Sequence, residues 1–443
     1  MKNIHLIKIW DSLRSSYWFV PILMTNMTIG LAYITLKIDR SSNPKLFAKL
    51  SWMHISFGGA DGAMTLLSTV AGSMVNVAVT AFSITLVALT LASQQFGPRV
   101  LRNFMVDRTY QFVLGTFIAT FIYCLVVLRT IHSDRDRLFV PQLSITVAVV
   151  LAVFSTFVLI YFIHHSATSI HAWNIIGKIS SELNNSINEL FPVKLLGMPK
   201  YKRQSRLEVP AEFERESCPI PAASSGYIQA INDRRLMQIA KSEDLILQLK
   251  KRTGKFVVQG TELVRVWPGN CVNQKLIKQL NNTFLLGKQR TARQDVEFSI
   301  KHLVEIAIRS LSPAVNDPFT AIGCVDQIAA ALCRLAERDL PPPYVYDDDN
   351  NLRLIANPVT FEGLTDDAFN QIRQYGRLDV AVTIRLLEAI EVIAEHTHNN
   401  KNRAALLRHA SMIERGSQDL PEELDRKDVK MRYQAVLRAL KQQ

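Results

Sequence analysis

The sequence predicts a membrane protein with four transmembrane α-helices, followed by a helical stalk and a cytoplasmic α+β domain. Four stretches, residues 17–36, 63–98, 111–128 and 141–163, contain no Asp, Glu, Lys or Arg. Each approaches or exceeds the roughly 20 apolar residues with which a helix crosses a bilayer. No comparable charge-free run follows the fourth, and Lys and Arg gather near the ends of the runs. These observations define a transmembrane domain at residues 1–165.

The four spans are predicted at about residues 17–36, 66–92, 111–128 and 142–163. Four long apolar runs in the first third of a chain are not typical of core helices in a soluble protein. The first run is longer than a secretory apolar segment and is followed by three more. We therefore interpret it as an uncleaved helix rather than a signal peptide.

The distribution of basic residues predicts the orientation of the spans. Lys and Arg occur in the N-terminus, between the second and third spans and after the fourth, at Lys2, Lys8, Arg14, Arg99, Arg102, Arg108, Lys178, Lys194, Lys200, Lys202 and Arg203. These segments, and with them both termini, are expected in the cytoplasm. The asymmetry is incomplete, because the loop after the first span carries Lys37, Arg40, Lys45 and Lys49.

The net charge of +12 and the pI near 9.5 raise the question of a nucleic-acid partner. The sequence contains no zinc finger, RNP-like strand or basic helix with interleaved aromatic residues. Anionic lipid headgroups are therefore the expected partner, and nucleic acid is not. Cys124 lies in the third span, and the other four cysteines form no C-x-x-C pair. No metal site or cofactor is predicted.

Three regions are predicted after the spans. Residues 166–192 form a helical stalk, because the polar helix that continues the fourth span should end before the proline at 192. Residues 193–272 form a small β-barrel or sandwich, and residues 273–443 are mainly helical. The strands are predicted at Gly226–Ile231, Leu245–Leu249, Phe256–Val258 and Leu263–Val266.

An amphipathic helix is predicted at Gln294–Leu311. Its apolar residues recur at helical spacing. A second face carries alternating charges at steps of four, namely Glu297, Lys301, Glu305 and Arg309. This spacing is typical of a solvated helix surface, which we prefer here over a charged functional site.

The segment Ser312–Pro318 interrupts the helical pattern with two prolines. Asn316 or Asp317 can cap the next helix, with Pro318 in its first turn. The segment is either a structural corner or a binding loop, in which Asn316 and Asp317 would contact the ligand. The acidic run Asp347–Asp349 lacks the glycine and the terminal glutamate of an EF-hand loop. A solvated turn is therefore predicted there rather than a calcium site.

Four motifs together resemble a known family. They are Phe82–Arg99 (FSITLVALTLASQQFGPR), Leu114–Phe121 (LGTFIATF), Arg290–Glu297 (RTARQDVE) and the corner Leu311–Ala321. In their order and spacing, over nearly the whole chain, they resemble the bacterial membrane family called domain of unknown function 2254. The resemblance implies a bacterial inner-membrane protein with four spans and a cytoplasmic domain. It implies no activity, substrate or catalytic residue.

The second span carries a stripe of small and polar residues. The stripe comprises Gly72, Asn76, Thr80, Ser83, Thr90 and Gln94. Their spacings of three, four or seven residues place them on one helical face. That face can pack tightly against another helix, which is the commoner use of such residues in membranes. Alternatively, copies of the helix surround a water-filled path, with Arg99 and Arg102 at its cytoplasmic mouth.

The composition of the spans favours one class of function. Coupled transporters usually hold a carboxylate, a histidine or a basic residue within the membrane, and these spans contain none. A passive channel-like protein is therefore preferred, and it requires a homo-oligomer because four helices enclose little volume. No enzyme is expected, because the sequence has no Walker loop, G-x-S-x-G or H-E-x-x-H segment, and His164 and His165 project about 100° apart. The alternative is a membrane-anchored sensor or scaffold whose cytoplasmic domain binds a ligand or partner.

Overall fold

The chain forms two compact units, Met1–Asn174 and Ile175–Gln443. The computed structural model describes residues 18–41, 59–99, 107–131, 139–169, 171–191, 209–292 and 294–441. Several basic residues used to predict the orientation lie outside these ranges, namely Lys2, Lys8, Arg14, Lys45, Lys49, Arg102, Lys194, Lys200, Lys202 and Arg203.

The described part of the first unit is mainly helical. Its helices are α1 (Phe19–Arg40), α2 (Gly59–Phe96), α3 (Arg108–Leu128) and α4 (Gln142–Ser169). Each helix is longer than the span predicted for it. The 38 residues of α2 reach about 57 Å, more than the roughly 45 Å of a bilayer with its headgroups. A spanning α2 therefore has to tilt or extend past the headgroups.

Hydrogen bonds between the ends of the helices show that neighbours run in opposite directions. The Asp39 carboxylate at the end of α1 accepts the hydroxyl of Ser144 at the start of α4, at 2.7 Å. Tyr110 at the start of α3 is 2.9 Å from Ser169 at the end of α4. The start of α2 packs against the end of α3 in one apolar cluster. The ends of α2 and α4 and the start of α3 therefore lie on the same side.

Among the described residues, five helices, not four, are long and apolar enough to cross a membrane. Four are α1 to α4, and the fifth is α10 (Pro318–Ala336) in the second unit. The prediction of four spans counted only charge-free runs, and α10 is a further candidate by length and composition. The helix was missed because Asp326 and Arg334 interrupt its apolar sequence.

The region predicted as one continuous stalk contains two helices. Helix α4 ends at Ser169 and α5 covers Ala172–Leu190. The last helical residue agrees with the predicted stop before Pro192. Helix α5 is amphipathic, and from Ile175 on it belongs to the second unit, within which the Ser180 hydroxyl donates to Gln327 at 2.6 Å.

The second unit contains two β-sheets. The strands are β1 (Cys218–Pro221), β2 (Gly226–Ile231), β3 (Ile246–Leu249), β4 (Phe256–Val257), β5 (Glu262–Trp267), β6 (Phe284–Gly287), β7 (Tyr344–Tyr346) and β8 (Leu352–Ile355). One sheet has the order β1-β5-β3-β8-β7 and the other β4-β2-β6. All four predicted strands are present.

The sheets draw on more of the chain than residues 193–272. Strand β8 pairs in parallel with β3, with Leu247 opposite Leu354. Strand β6 pairs with β2, with Ile231 opposite Phe284. The sequence of a short strand does not indicate which distant strand it pairs with, because that pairing depends on the tertiary structure. The pairing of β6 and β8 could therefore not be predicted.

The remaining helices of the second unit are α6 (Phe213–Glu216), α7 (Asp233–Ser242), α8 (Gln274–Asn281), α9 (Val296–Ser310), α11 (Phe361–Tyr375), α12 (Val380–Glu395), α13 (Asn400–Gly416) and α14 (Glu423–Lys441), together with α10. The predicted amphipathic helix is α9. The predicted cap is also confirmed, because the Asp317 side chain accepts from Thr320 N and Pro318 opens α10.

Candidate functional site

The two faces of α2 differ in size and polarity. One face is rich in alanine and is buried within the first unit, with Ala63, Ala71, Ala78, Ala81 and Ala92 among its members. Small side chains let helices approach closely, which supplies the packing contacts that hold helices together in lipid. The buried alanines explain how α2 joins the bundle without using its polar groups.

The opposite face of α2 carries the predicted stripe. All six of its residues are exposed in the single chain: Gly72, Asn76, Thr80, Ser83, Thr90 and Gln94. On an ideal helix they fall within an arc of about 80°, on the side away from the alanine face. The stripe is therefore not buried against the other spans of the same chain.

The hydroxyl groups of the stripe are satisfied within α2. Thr80 donates to the carbonyl of Asn76 at 2.9 Å, and Thr90 donates to that of Leu86 at 2.8 Å. Such bonds to the preceding turn let Ser and Thr lie in an apolar setting. The carboxamides of Asn76 and Gln94 make no hydrogen bond within the described part of the chain. A dry environment would therefore penalise them more than the hydroxyls.

The stripe is longer than the sequence analysis proposed. Thr65 and Thr69 continue it toward the start of α2 at further steps of three or four, and both are exposed. Extending the same spacing beyond Gly72 would have found them. Val87 fills the gap between Ser83 and Thr90 and is exposed as well. The face is thus polar along most of its length, with one apolar position.

The residues predicted at the cytoplasmic mouth lie beyond the end of α2. The helix ends at Phe96, and Gly97 adopts a φ of +94°, which favours glycine. Arg99 follows two residues later and is exposed. Arg102 lies outside the described residues, so only Arg99 is placed next to the Gln94 end of the stripe.

The two histidines at the end of α4 have different surroundings. His165 Nε2 is 3.3 Å from the Asp107 carboxylate, and its ring stacks on Tyr161. His164 is exposed. Among the described residues, no group of three or more His, Cys, Asp or Glu is arranged to hold a metal ion.

The predicted binding loop belongs to the second unit. Asn316 is exposed and has a φ of +48°, while Asp317 caps α10. The Asp317 carboxylate also accepts the Thr320 hydroxyl at 2.5 Å. The acidic run forms the predicted turn, in which Asp347 N donates to Asn351 O at 3.0 Å. Asp347 is held by Arg353 Nε at 2.7 Å, so it is not a solvated member of that turn.

The charged face of α9 departs from the prediction at its first member. Glu297 is 2% exposed, so the solvated face predicted for it is wrong at this position. Its carboxylate accepts from the Arg252 guanidinium and, at 3.0 Å, from Lys255 Nζ. Burial acts to raise the pKa of Glu297, but these two cations outweigh it and the pKa lies below its ordinary value.

A second buried carboxylate adjoins Glu297. Asp295 caps α9, and Arg290 donates to it from Nε at 3.0 Å. Burial raises the pKa of Asp295, against the lowering effect of Arg290. Gly254 has a φ of +81°, and a Cβ there would meet Asp295 Oδ2 at 2.1 Å. The loop after β3 therefore comes close to the start of α9 only because residue 254 is glycine.

The fold and the exposed polar face define the class of protein. The described part of the first unit contains four helices that are long and apolar enough to cross a membrane, and an α+β unit follows in the sequence. This arrangement is typical of an integral membrane protein. The chain belongs to the domain of unknown function 2254 family, described as predicted membrane protein, whose sequence model matches residues 14–392.

The comparisons with individual proteins agree with this family. Uncharacterized proteins of Mycobacterium bovis and Mycobacterium tuberculosis are each 29% identical to the chain over 429 residues. The alignments cover 94% of this chain and 79% of each relative. No solved structure matches the chain significantly.

Proposed function

We propose that this protein is a homo-oligomeric, passive channel-like protein of the bacterial inner membrane. Four helices, α1 to α4, cross the membrane, and the polar face of α2 lines the path. Both termini and the second unit lie in the cytoplasm. Arg99 and Arg102 flank the cytoplasmic mouth, and basic residues near the spans contact anionic lipid headgroups.

The exposure of the α2 stripe carries this proposal. A polar face that runs the length of a helix and contacts none of the chain's own spans has to meet lipid, another copy or water. Lipid is the least favourable of these for Asn76, whose carboxamide has no partner within the described chain. If copies of α2 surround a symmetry axis, the stripe faces a water-filled path. The alanine face then keeps its contacts with the other helices of its own chain.

The absence of charge along the stripe supports a passive path. From Ala63 to Pro98 the sequence contains no Asp, Glu, Lys, Arg or His. A coupled transporter needs a group that gains or loses a proton or holds an ion. Neutral hydroxyls and carboxamides can replace part of the water around a permeating ion, but they cannot drive its movement.

Four spans are preferred to five because of the surroundings of α10. Its Asp326 carboxylate accepts from Arg385 Nε of α12 at 2.5 Å. Much of α10 is buried among neighbouring helices of the second unit. This burial is typical of a core helix in a globular domain rather than of a membrane span. With four antiparallel spans, the ends of α2 and α4 share one side, as the predicted basic cytoplasmic segments require.

The proposal is tested by ion flux in reconstituted vesicles. Asn76→Leu should dry a constriction and remove most of the flux of chloride or potassium, while cross-linking still detects the oligomer. The matched control is Val153→Leu, at an exposed position of α4, which should leave flux unchanged. If wild-type protein conducts neither ion, or if Asn76→Leu dissociates the oligomer, the face serves packing and the proposal fails.

The alternative is a membrane-anchored sensor or scaffold, in which the second unit binds a ligand or partner and the α2 face serves helix packing. One observation favours it: a cavity of about 170 Å³ with two arginines in its wall lies within the second unit. A ligand of that cavity would not by itself exclude a channel, because the second unit could also regulate the path.

A further inference from the structure

The cavity lies where three helices of the second unit meet. Its wall is formed by the last turn of α11, the first two turns of α12, and the end of α13 with the turn after it. Arg373, Gln374, Arg377, Thr383 and Asp419 supply its polar groups, and Leu386 is part of its apolar wall. The cavity is therefore lined mainly by hydrogen-bond donors on one side and by aliphatic carbon on another.

Arg373 is the unusual member of this wall. It is half-buried, and it makes no hydrogen bond or ion pair with the described part of the chain. Its Nε is buried without a partner. A buried donor without an acceptor is costly, and the terminal nitrogens of this half-buried side chain have no partner in the described part of the chain either. The geometry therefore leaves room for an anion beside Arg373.

The other charges around the cavity leave a positive excess. Arg377 is 3.8 Å from the Asp419 carboxylate, and both side chains are mostly exposed. One loosely held carboxylate thus faces two guanidinium groups. Nearby, burial lowers the pKa of His409, Asp366 opposes that effect, and Arg408 and Arg373 lower the pKa further. Because an imidazole ring is either neutral or positive, His409 supplies no negative charge beside the cavity.

The volume indicates the size of the anion. A drug-sized ligand usually occupies roughly 300–1,000 Å³, well above this cavity. The 170 Å³ of this cavity is well above the roughly 10–15 Å³ that a single water needs. A tetrahedral anion with a few waters fits such a space. Guanidinium groups bind phosphate oxygens with two parallel hydrogen bonds, which favours phosphate over a spherical ion such as chloride.

We propose that this cavity binds a phosphate group, held by Arg373 and Arg377 with the Thr383 hydroxyl as a further contact. The group is either free inorganic phosphate or the phosphate of a lipid headgroup. Tyr375, the last residue of α11, and Leu378, which follows Arg377, are 62% and 60% exposed, which suits contact with acyl chains. The inference is independent of whether α2 lines a path.

Thermal unfolding of the full-length protein in detergent tests the proposal. The probes are sodium phosphate against sodium chloride at equal ionic strength, and dihexanoylphosphatidic acid against dihexanoylglycerol, which lacks the phosphate. A ligand at about ten times its dissociation constant should raise the unfolding midpoint by roughly 3 °C. Arg373→Gln should abolish the rise, whereas Arg334→Gln should retain it. Arg334 is an exposed arginine in the last turn of α10, outside the cavity wall.

Each outcome is decisive. A rise with inorganic phosphate assigns a free anion, and a rise with the phosphatidic acid alone assigns a headgroup. If neither probe exceeds its control in wild-type protein, or if Arg373→Gln responds like Arg334→Gln, the proposal is wrong. Should Arg373→Gln fail to fold, Arg377→Gln replaces it, because the exposed Arg377 side chain can be changed without disturbing the core.

Discussion

Helices α2 and α9 both carry a polar stripe opposite an apolar face, and the two stripes have opposite surroundings. The stripe of α2 is neutral and exposed, while its alanine face packs within the chain. The stripe of α9 is charged, and Glu297 at its start is buried against Arg252 and Lys255. The spacing of polar residues along a helix therefore predicts that they share a face, but not what that face meets.

The chemistry of the polar groups explains the difference. Hydroxyls on α2 donate to carbonyls of the preceding turn, so they need no partner from elsewhere in the chain. An ionised carboxylate has no proton to donate to a carbonyl of the preceding turn, and burying it requires cations from another segment. For Glu297, Arg252 supplies one from 45 residues earlier in the sequence.

The largest effect is expected at Glu297. Glu297→Ala leaves Arg252 and Lys255 without their buried partner and should lower the free energy of unfolding of the second unit by about 3 kcal/mol. Urea unfolding followed by near-ultraviolet circular dichroism measures this. Glu305→Ala is the control, because Glu305 pairs with Arg309 at 3.5 Å in a more exposed position and should cost less than about 1 kcal/mol. If the two variants lost the same free energy of unfolding, the buried ion pairs of Glu297 would contribute no more to stability than an exposed pair.

A smaller loss is expected on the alanine face of α2. Ala71→Leu places three extra carbons against neighbouring helices and should destabilise the first unit by about 1–3 kcal/mol. Ser73→Leu adds similar bulk at an exposed position of the same helix and should leave stability nearly unchanged. The midpoint of thermal unfolding in detergent compares them. If Ser73→Leu were the more damaging, the assignment of the two faces would be reversed.

A pH dependence should accompany the Glu297 network. Its pKa in the folded protein lies below the ordinary 4.5. The ionised carboxylate therefore contributes stability above about pH 4.5, and this contribution is lost as the pH falls through the folded value. The difference in unfolding free energy between wild type and Glu297→Gln should shrink as the pH is lowered from 7 to 3.5. A difference that is constant over this range would mean that the pKa of Glu297 is the same in the folded and the unfolded protein.

Much of the architecture could be predicted because it depends on local patterns. Charge-free runs located α1 to α4, and apolar segments between glycines located β2 to β5. Pro318 after Asp317 indicated the start of α10, because both residues have a fixed role at a helix N-terminus.

The parts that were missed depend on contacts between distant residues. Strand β8 was missed because its parallel partner β3 lies about a hundred residues away. Glu297 was placed in solvent because its cations come from the loop after β3. The cavity at Arg373 combines three helices and has no motif. The outward direction of the α2 stripe could not be predicted either, since it depends on which face the other spans cover.

The central claim is that the α2 face meets water, and cysteine accessibility tests it most directly. Single cysteines replace Gly72, Asn76, Thr80, Ser83 and Thr90 in a protein whose five native cysteines have been replaced, with Ala81→Cys on the buried face and Gln94→Cys at the helix end as controls. A small water-soluble thiol reagent is then applied to the protein in membranes. We predict that cysteines at Asn76, Thr80 and Ser83 react, as does Gln94→Cys, and that Ala81→Cys does not, because a thiolate forms only where water reaches the sulfur. If Gln94→Cys reacts and none of the five stripe positions does, the face is dry and α2 lines no path.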